Sequence, residues 1–175
     1  MKKIIVTTTM ALGIASFANA EEPTKHAQVG IASFATVISN DLQGVQDDEF
    51  AGLSLYATGA PTDNFAVRGL YGQQEHDDIE GLDVSAFEIS VLAGTGLATE
   101  GFKAYGSFGF FDEEWEARGS TIDFNGAMLG GGIGYNWTPV GIDFWMNIRD
   151  ASDYEDFGGF DVAAVSGGLG IAARF

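Results

Sequence analysis

Six charged side chains stand singly among small or apolar residues: Arg68, Glu88, Lys103, Asp143, Arg149 and Arg174. Charges of mixed sign removed from water must pair or they destabilise strongly. Such a set therefore supports one of two chemistries, a paired network that locks a polar core or a line of charges along an ion path. The two histidines offer less. His26 precedes the first patterned segment, and His76 lies among carboxylates in Gln74-Glu75-His76-Asp77-Asp78. A catalytic triad is recognised by geometry, and no spacing singles out a serine partner, so no catalytic residue is assigned. The runs Asp47-Asp48-Glu49, Asp112-Glu113-Glu114 and Asp153-x-Glu155-Asp156 supply oxygen ligands of the kind calcium and magnesium take. None has the spacing or turn glycine of an EF-hand loop, so divalent cations are expected at most loosely, at the acidic loops, and no metal residue is assigned. With no cysteine, disulfides and thiolate metal sites are excluded. No cofactor is expected.

The elements that carry these residues read as strands. Val140, Ile142, Phe144, Met146 and Ile148 alternate with Gly141, Asp143, Trp145, Asn147 and Arg149, and period two means strand. The same alternation runs through 65–72, 87–94, 102–110, 127–137 and 163–175, with two weaker strands at about 28–39 and 50–58. In the second of these, Leu53, Leu55 and Ala57 share a face opposite Phe50 and Tyr56. The uncharged stretch 124–142 is too rich in glycine for a membrane helix. Eight strands result, an all-β chain of up-and-down antiparallel strands.

Connections alternate in kind. Those at 59–64, 95–101 and 138–139 are short or poor in charge, whereas those at 40–49, 75–83, 112–123 and 150–161 are long and acidic. Nineteen of the 25 acidic residues fall in the four long links, so one end of the fold carries nearly all the negative charge. With 25 acidic residues against 8 basic ones, nucleic acid is excluded as a partner. The chain opens with Met1-Lys2-Lys3, an apolar stretch to Phe17, and Ala18-Asn19-Ala20 before Glu21-Glu22. That three-part pattern is a secretory signal peptide, 1–20, with cleavage at Ala20, leaving 21–175 as one barrel domain.

The composition of the two strand faces decides the environment. One face carries Val, Ile, Leu, Phe and Met, and the other is mostly Gly, Ala and Ser with the isolated charges. Small residues with a few charges suit the narrow interior of an eight-stranded barrel. The apolar face must then look outward, which only lipid accommodates, and closure leaves no backbone group unpaired there. Phe65, Phe102, Tyr135, Trp137 and Phe175 fall at the short-turn end, and Tyr71, Phe87 and Phe110 near the long-loop end. Two aromatic belts are expected of such barrels.

The chain resembles the small outer-membrane barrels of the OmpA transmembrane-domain and OmpX/Ail type, including opacity-like porin-family proteins. The likeness covers Ala27 to Phe175 and rests on the signal peptide, strand number, acidic loops and the ending Leu169-x-Ile171-x-Ala173-x-Phe175. It implies an eight-stranded transmembrane β-barrel in the outer membrane of a Gram-negative bacterium, a monomer surrounded by lipid and lipopolysaccharide. It also implies that Leu169, Ile171, Ala173 and Phe175 form the signal read by the barrel-assembly machinery, although Ala173 and Ile171 replace the further aromatic usual there. Lumenal carboxylates in such barrels pair with Arg and Lys. The corresponding network here is Arg68, Glu88, Lys103, Asp143 and Arg174, with Arg68 the first candidate partner of Glu88 because it lies on the preceding strand. The expected function is non-enzymatic, structural or surface-interacting through the acidic loops. The alternatives are a narrow ion-conducting channel and, because some eight-stranded barrels modify lipid A, a barrel enzyme.

Overall fold

In a computed structural model, residues 24–40, 47–76, 79, 81–117 and 119–175 are described. The signal-peptide reading and its cleavage at Ala20 lie outside them. The strands are β1 (Ala27–Asn40), β2 (Asp48–Thr62), β3 (Phe65–His76), β4 (Leu82–Thr95), β5 (Gly101–Ala117), β6 (Ser120–Asn136), β7 (Val140–Arg149) and β8 (Val162–Arg174), with a short helix α1 (Ser152–Gly158) before the last. Each strand pairs antiparallel with the next, and β8 returns to β1, for example through Ile31 opposite Ile171. The result is a closed eight-stranded up-and-down β-barrel, the fold class the alternation implies. Even the shortest strand, β7, has 10 residues, within the roughly 9–11 that a tilted strand needs to cross a bilayer.

Alternation assigns the faces. Leu53, Leu55, Phe102, Phe108, Leu129, Phe144, Ile148 and Ile171 point outward and are all exposed, Leu53 at 71 %. An apolar exterior of this extent is a surface for lipid, since soluble monomers rarely expose patches beyond a few hundred Å². In β2 the orientation settles with Leu53 and Leu55 outward and Phe50 and Tyr56 buried. The aromatic residues expected in belts, Phe65, Phe102, Tyr135, Trp137 and Phe175 at one end and Tyr71, Phe87 and Phe110 at the other, are all exposed.

Three expectations need correction. The link 112–123 is mostly strand: β5 and β6 pair without a break from Gly101 opposite Asn136 to Ala117 opposite Ser120. Loop-like acidity misled there, because Asp112, Glu114, Glu116 and Asp123 alternate with Glu113, Trp115, Ile122 and Phe124 on a hairpin standing beyond the apolar band. The fourth long link contains α1, closed by Gly159 at φ 75, a conformation glycine adopts without steric cost. The interior, finally, is not chiefly small. Phe34, Phe50, Tyr56, Leu70, Phe111, Phe124, Met128 and Trp145 are buried in it. Glycines on the same strands make room for them: a Cβ on inward-facing Gly168 would lie 2.5 Å from Trp145 Cζ2, and one on Gly170 2.7 Å from Tyr56 Cε1.

Candidate functional site

The bore is filled in layers, and strand position orders them. At the short-turn end, the turn between β4 and β5 folds across the opening. Asp63, in the turn between β2 and β3, accepts hydrogen bonds from the N–H groups of Gly96, Ala98 and Thr99 (3.0, 3.2 and 3.0 Å) and from the Thr99 hydroxyl (2.7 Å). Partial burial works to raise the Asp63 carboxyl, but the four hydrogen bonds outweigh it and hold its pKa below the ordinary range. With its N–H groups facing Asp63, this turn gives its carbonyls to the barrel: Asn136 Nδ2 donates to Gly96 and Thr99 (2.8 and 3.1 Å), and Arg174 Nη2 donates to Ala98 (2.7 Å).

Above the cap lies the first charged layer. Asp143 Oδ2 is 2.5 Å from Lys103 Nζ and 3.3 Å from Arg68 Nη2, while Tyr105 donates to Oδ1 at 3.0 Å. Asp143 is fully buried and Lys103 nearly so. Two inward glycines on β6 make the layer possible. A Cβ on Gly132 would stand 2.6 Å from Tyr105 Cζ, and one on Gly134 2.5 Å from Lys103 Cε. The Arg68 guanidinium also lies over the rings of Tyr56, Tyr105 and Trp145 at 5.3, 5.3 and 5.0 Å, within cation–π range. Tyr56 and Trp145, with Phe34, Leu70 and Ala86, form the next, apolar layer.

The second charged layer sits on the long-loop side. Arg149 Nη2 reaches Glu88 Oε1 at 2.7 Å, and its Nη1 donates to Glu113. Ser166 donates to Glu88 at 3.0 Å, and Tyr154 of α1 donates to Glu113 at 2.8 Å. Burial first, and the Glu113 charge second, push the Tyr154 phenol up from its ordinary range, which keeps it a donor. An aromatic and aliphatic cap closes the top: Ile38, Phe50, Val84, Phe111, Phe124, Met128 and Tyr154, with Trp115 against them.

All five residues of the expected charge network are buried in the bore, but they do not form one group. Arg68, Lys103 and Asp143 meet in the lower layer. Arg174 bonds backbone carbonyls, those of Ala98, Thr99 and Trp137. Glu88 pairs with Arg149, not with Arg68. Preceding position in sequence is a poor guide across a bore, because inward side chains reach across it, here from β4 to β7, three strands away around the barrel. Glu113 was hidden in an apparent loop. Its signal was Trp115 and Phe111 two places away on either side, the mark of a buried strand face.

The other candidates resolve simply. His76 Nδ1 accepts the Ile79 N–H at 3.0 Å, so its Nε2 carries the proton facing Asp48 at 3.1 Å. His26 is held between the Ala60 carbonyl and the Thr24 hydroxyl (2.7 and 3.1 Å). Among the described residues neither ring is hydrogen-bonded to a serine. Among the described residues no three His, Asp or Glu side chains are grouped to hold a metal ion. Leu169, Ile171, Ala173 and Phe175 all lie exposed on the outer face of β8 and its end.

No family model matches this sequence, and no curated protein does. Solved structures do share the fold. The attachment invasion locus protein Ail of Yersinia pestis is 18 % identical with a TM-score of 0.56, over 87 % of this chain and 99 % of that one. The N-terminal β-barrel domain of Pseudomonas aeruginosa OprF is 16 % identical with a TM-score of 0.57, over 85 % and 97 %. Neisserial surface protein A is 12 % identical with the same TM-score, over 85 % and 97 %. These likenesses are of fold: the chain has the architecture of small eight-stranded outer-membrane barrels.

Proposed function

We propose that this chain is a non-enzymatic outer-membrane β-barrel with a closed bore, which acts at the cell surface through its acidic long-loop end. The observation that carries this reading is the segregation of charge. Among the described residues, Arg68, Lys103, Arg149 and Arg174 are buried in the bore, and Lys25 alone of the basic residues stands outside it, just before β1. Among the described residues, Asp112, Glu114, Glu116 and Asp123 of the long-loop end are therefore left facing outward with no Lys or Arg outside the bore at that end to neutralise them. On this reading lipid and lipopolysaccharide surround the apolar band, the protein is a monomer, and Leu169, Ile171, Ala173 and Phe175 present the assembly signal to the barrel-assembly machinery.

The rim also limits what binds there. Ail of Yersinia pestis has been crystallised with the heparin analogue sucrose octasulfate, a polyanion. A carboxylate-lined rim repels polyanions and attracts basic partners, so that ligand class does not carry over to this chain. A conducting channel is disfavoured by the filled bore: two charged layers, an apolar layer and two caps lie in series. Purified protein in planar bilayers is expected to show no steady conductance. Uniform, ion-selective openings in the wild type would overturn the closed-bore reading.

A further inference from the structure

Near the short-turn end the outer wall is not smooth. Ala93 of β4, Gly106 of β5 and Gly131 of β6 lie side by side in one register row, on the outward face of their strands. Ala104, two places before Gly106, is outward and small as well. Tall residues stand around them. Phe108 and Leu129 form the next row towards the long loops, and Ile133 and Phe144 pair on the other side; all four are exposed. The result is a groove of about 720 Å³, floored by small residues and bounded on β7 by Phe144 and Met146. Leu129 and Ile133 are four residues apart on β6, so about 13 Å separates their backbones. Their side chains narrow that gap to the width of a hydrocarbon chain.

The barrel's own packing does not account for Gly106. The pairing of β5 with β4 and with β6 runs unbroken through it, so no bulge or bend requires it. A Cβ there would meet only the Gly130 carbonyl oxygen, at 3.9 Å, whereas the inward Gly132 and Gly134 make way for Tyr105 and Lys103. Glycine within a strand weakens it, and away from bulges and bends it marks the close approach of another molecule. Hydrocarbon against a flat apolar wall gains little, because lipid tails are as apolar as the wall. Seated in a groove, the same chain makes dispersion contacts at its sides as well as beneath. The depth of the groove selects the lipid. Beyond Ala104 and Ile133 the next row is Phe102 opposite Tyr135, in the aromatic belt of the short-turn end, which marks the membrane interface. We propose that this groove binds one acyl chain of a phospholipid whose headgroup lies at that interface. Short turns of such barrels face the periplasm, so the lipid belongs to the periplasmic leaflet, and lipid A belongs to the other. The ridges of Phe108, Leu129, Ile133 and Phe144 hold the wall of a second copy away from the floor, so a single chain fits where another barrel does not.

This inference rests on the outer-membrane reading above, in which lipid surrounds the apolar band, and names the lipid. The protein is extracted from membranes in mild detergent, and lipid that stays bound is identified by native mass spectrometry. Wild type is expected to carry phospholipid. G106L, whose side chain enters open space within the groove, is expected to retain about tenfold less. A57L, which adds the same bulk to the outer face of β2, is expected to match wild type. The barrel is also placed in nanodiscs of phosphatidylethanolamine and phosphatidylglycerol carrying a spin label on the acyl chain. An immobilised lipid signal is expected with wild type and A57L and is expected to be lost with G106L. Wild type and G106L behaving alike in both measurements overturns the proposal. So does lipid A retained in place of phospholipid, or a dimer that G106L dissociates. A barrel that inserts but immobilises no lipid overturns the groove alone, whereas one that fails to insert sinks the lipid-facing reading with it. Should G106L misfold, A93L fills the same groove from β4 and decides.

Discussion

Arg149 holds two carboxylates, Glu88 and Glu113, one with each terminal nitrogen of its guanidinium, and its ring-facing side lies 4.5 Å over Phe111. Replacing it with Met leaves two buried like charges facing each other, at a cost of about 3–5 kcal/mol for a broken buried pair. The more discriminating experiment is a pair of mutant cycles by urea unfolding in lipid vesicles. Glu88→Gln combined with Arg149→Met should show coupling of about 1–3 kcal/mol, as contacting residues do. Glu88→Gln combined with Arg68→Met should be additive within about 0.5 kcal/mol, because Arg68 belongs to the Asp143 layer. Coupling of Glu88 to Arg68 instead would contradict the layered bore. That Glu88 is a lumenal charge was legible in the sequence, from its place between Phe87 and Ile89 on an alternating strand. Its partner was not, because periodicity reports the face of a residue and says nothing of which residue stands across the bore.

The turns and the hairpin show how elements differ in what controls them. On its N–H side the 96–100 turn is held by Asp63, whose side chain bonds three of its N–H groups and a hydroxyl, and Gly96 enters it at φ 74. Because hydrogen bonding depresses the Asp63 pKa in the folded state, its stabilising effect is fully present above the unfolded value of about 3.9. It is lost as pH falls through the lower folded value. Amide exchange at Ala98 and Thr99 is therefore expected to speed up relative to the strand amides below about pH 4, and Asp63→Asn should show the fast exchange already at neutral pH. Exchange at these amides that ignores both changes would show that Asp63 does not hold the turn. The sequence marks this connection as short or poor in charge, and nothing local in it says that it folds across the opening. Asp63 and Thr99 are 36 residues apart, and only closure of β2, β3, β4 and β5 brings them together.

For the whole molecule, the outward apolar band and the inward charges are two results of one closure. Phe144 lies outward on β7, between Ile133 on β6 and Leu169 on β8. Phe144→Arg should destabilise the inserted barrel by about 2–4 kcal/mol near the bilayer midplane, measured as a shift in urea midpoint in vesicles. An unchanged midpoint would mean that this face does not meet hydrocarbon. The same reasoning accounts for a chain of net charge −17 that buries four of its basic residues. Inside, each cation has carboxylates or carbonyls to pair with, and the surplus of carboxylates is sent to one end.

Much of this was written in the chain. Period two, eight times repeated, determines strands. The contrast between Val, Ile, Leu and Phe on one face and isolated charges on the other determines which face meets lipid, because side-chain direction in a strand is a local property. The alternation of short and acidic links determines that one end is short-turned and the other negative. The tertiary structure decided what depends on distance across the barrel. It placed Arg149 between Glu88 and Glu113, stacked Arg68 over Tyr56 and Trp145, and divided the expected single network into two layers. It also turned an apparent acidic loop into a paired hairpin. Partners across the bore follow from barrel register and closure. Those are set by all eight strands together, and no single segment of sequence contains them.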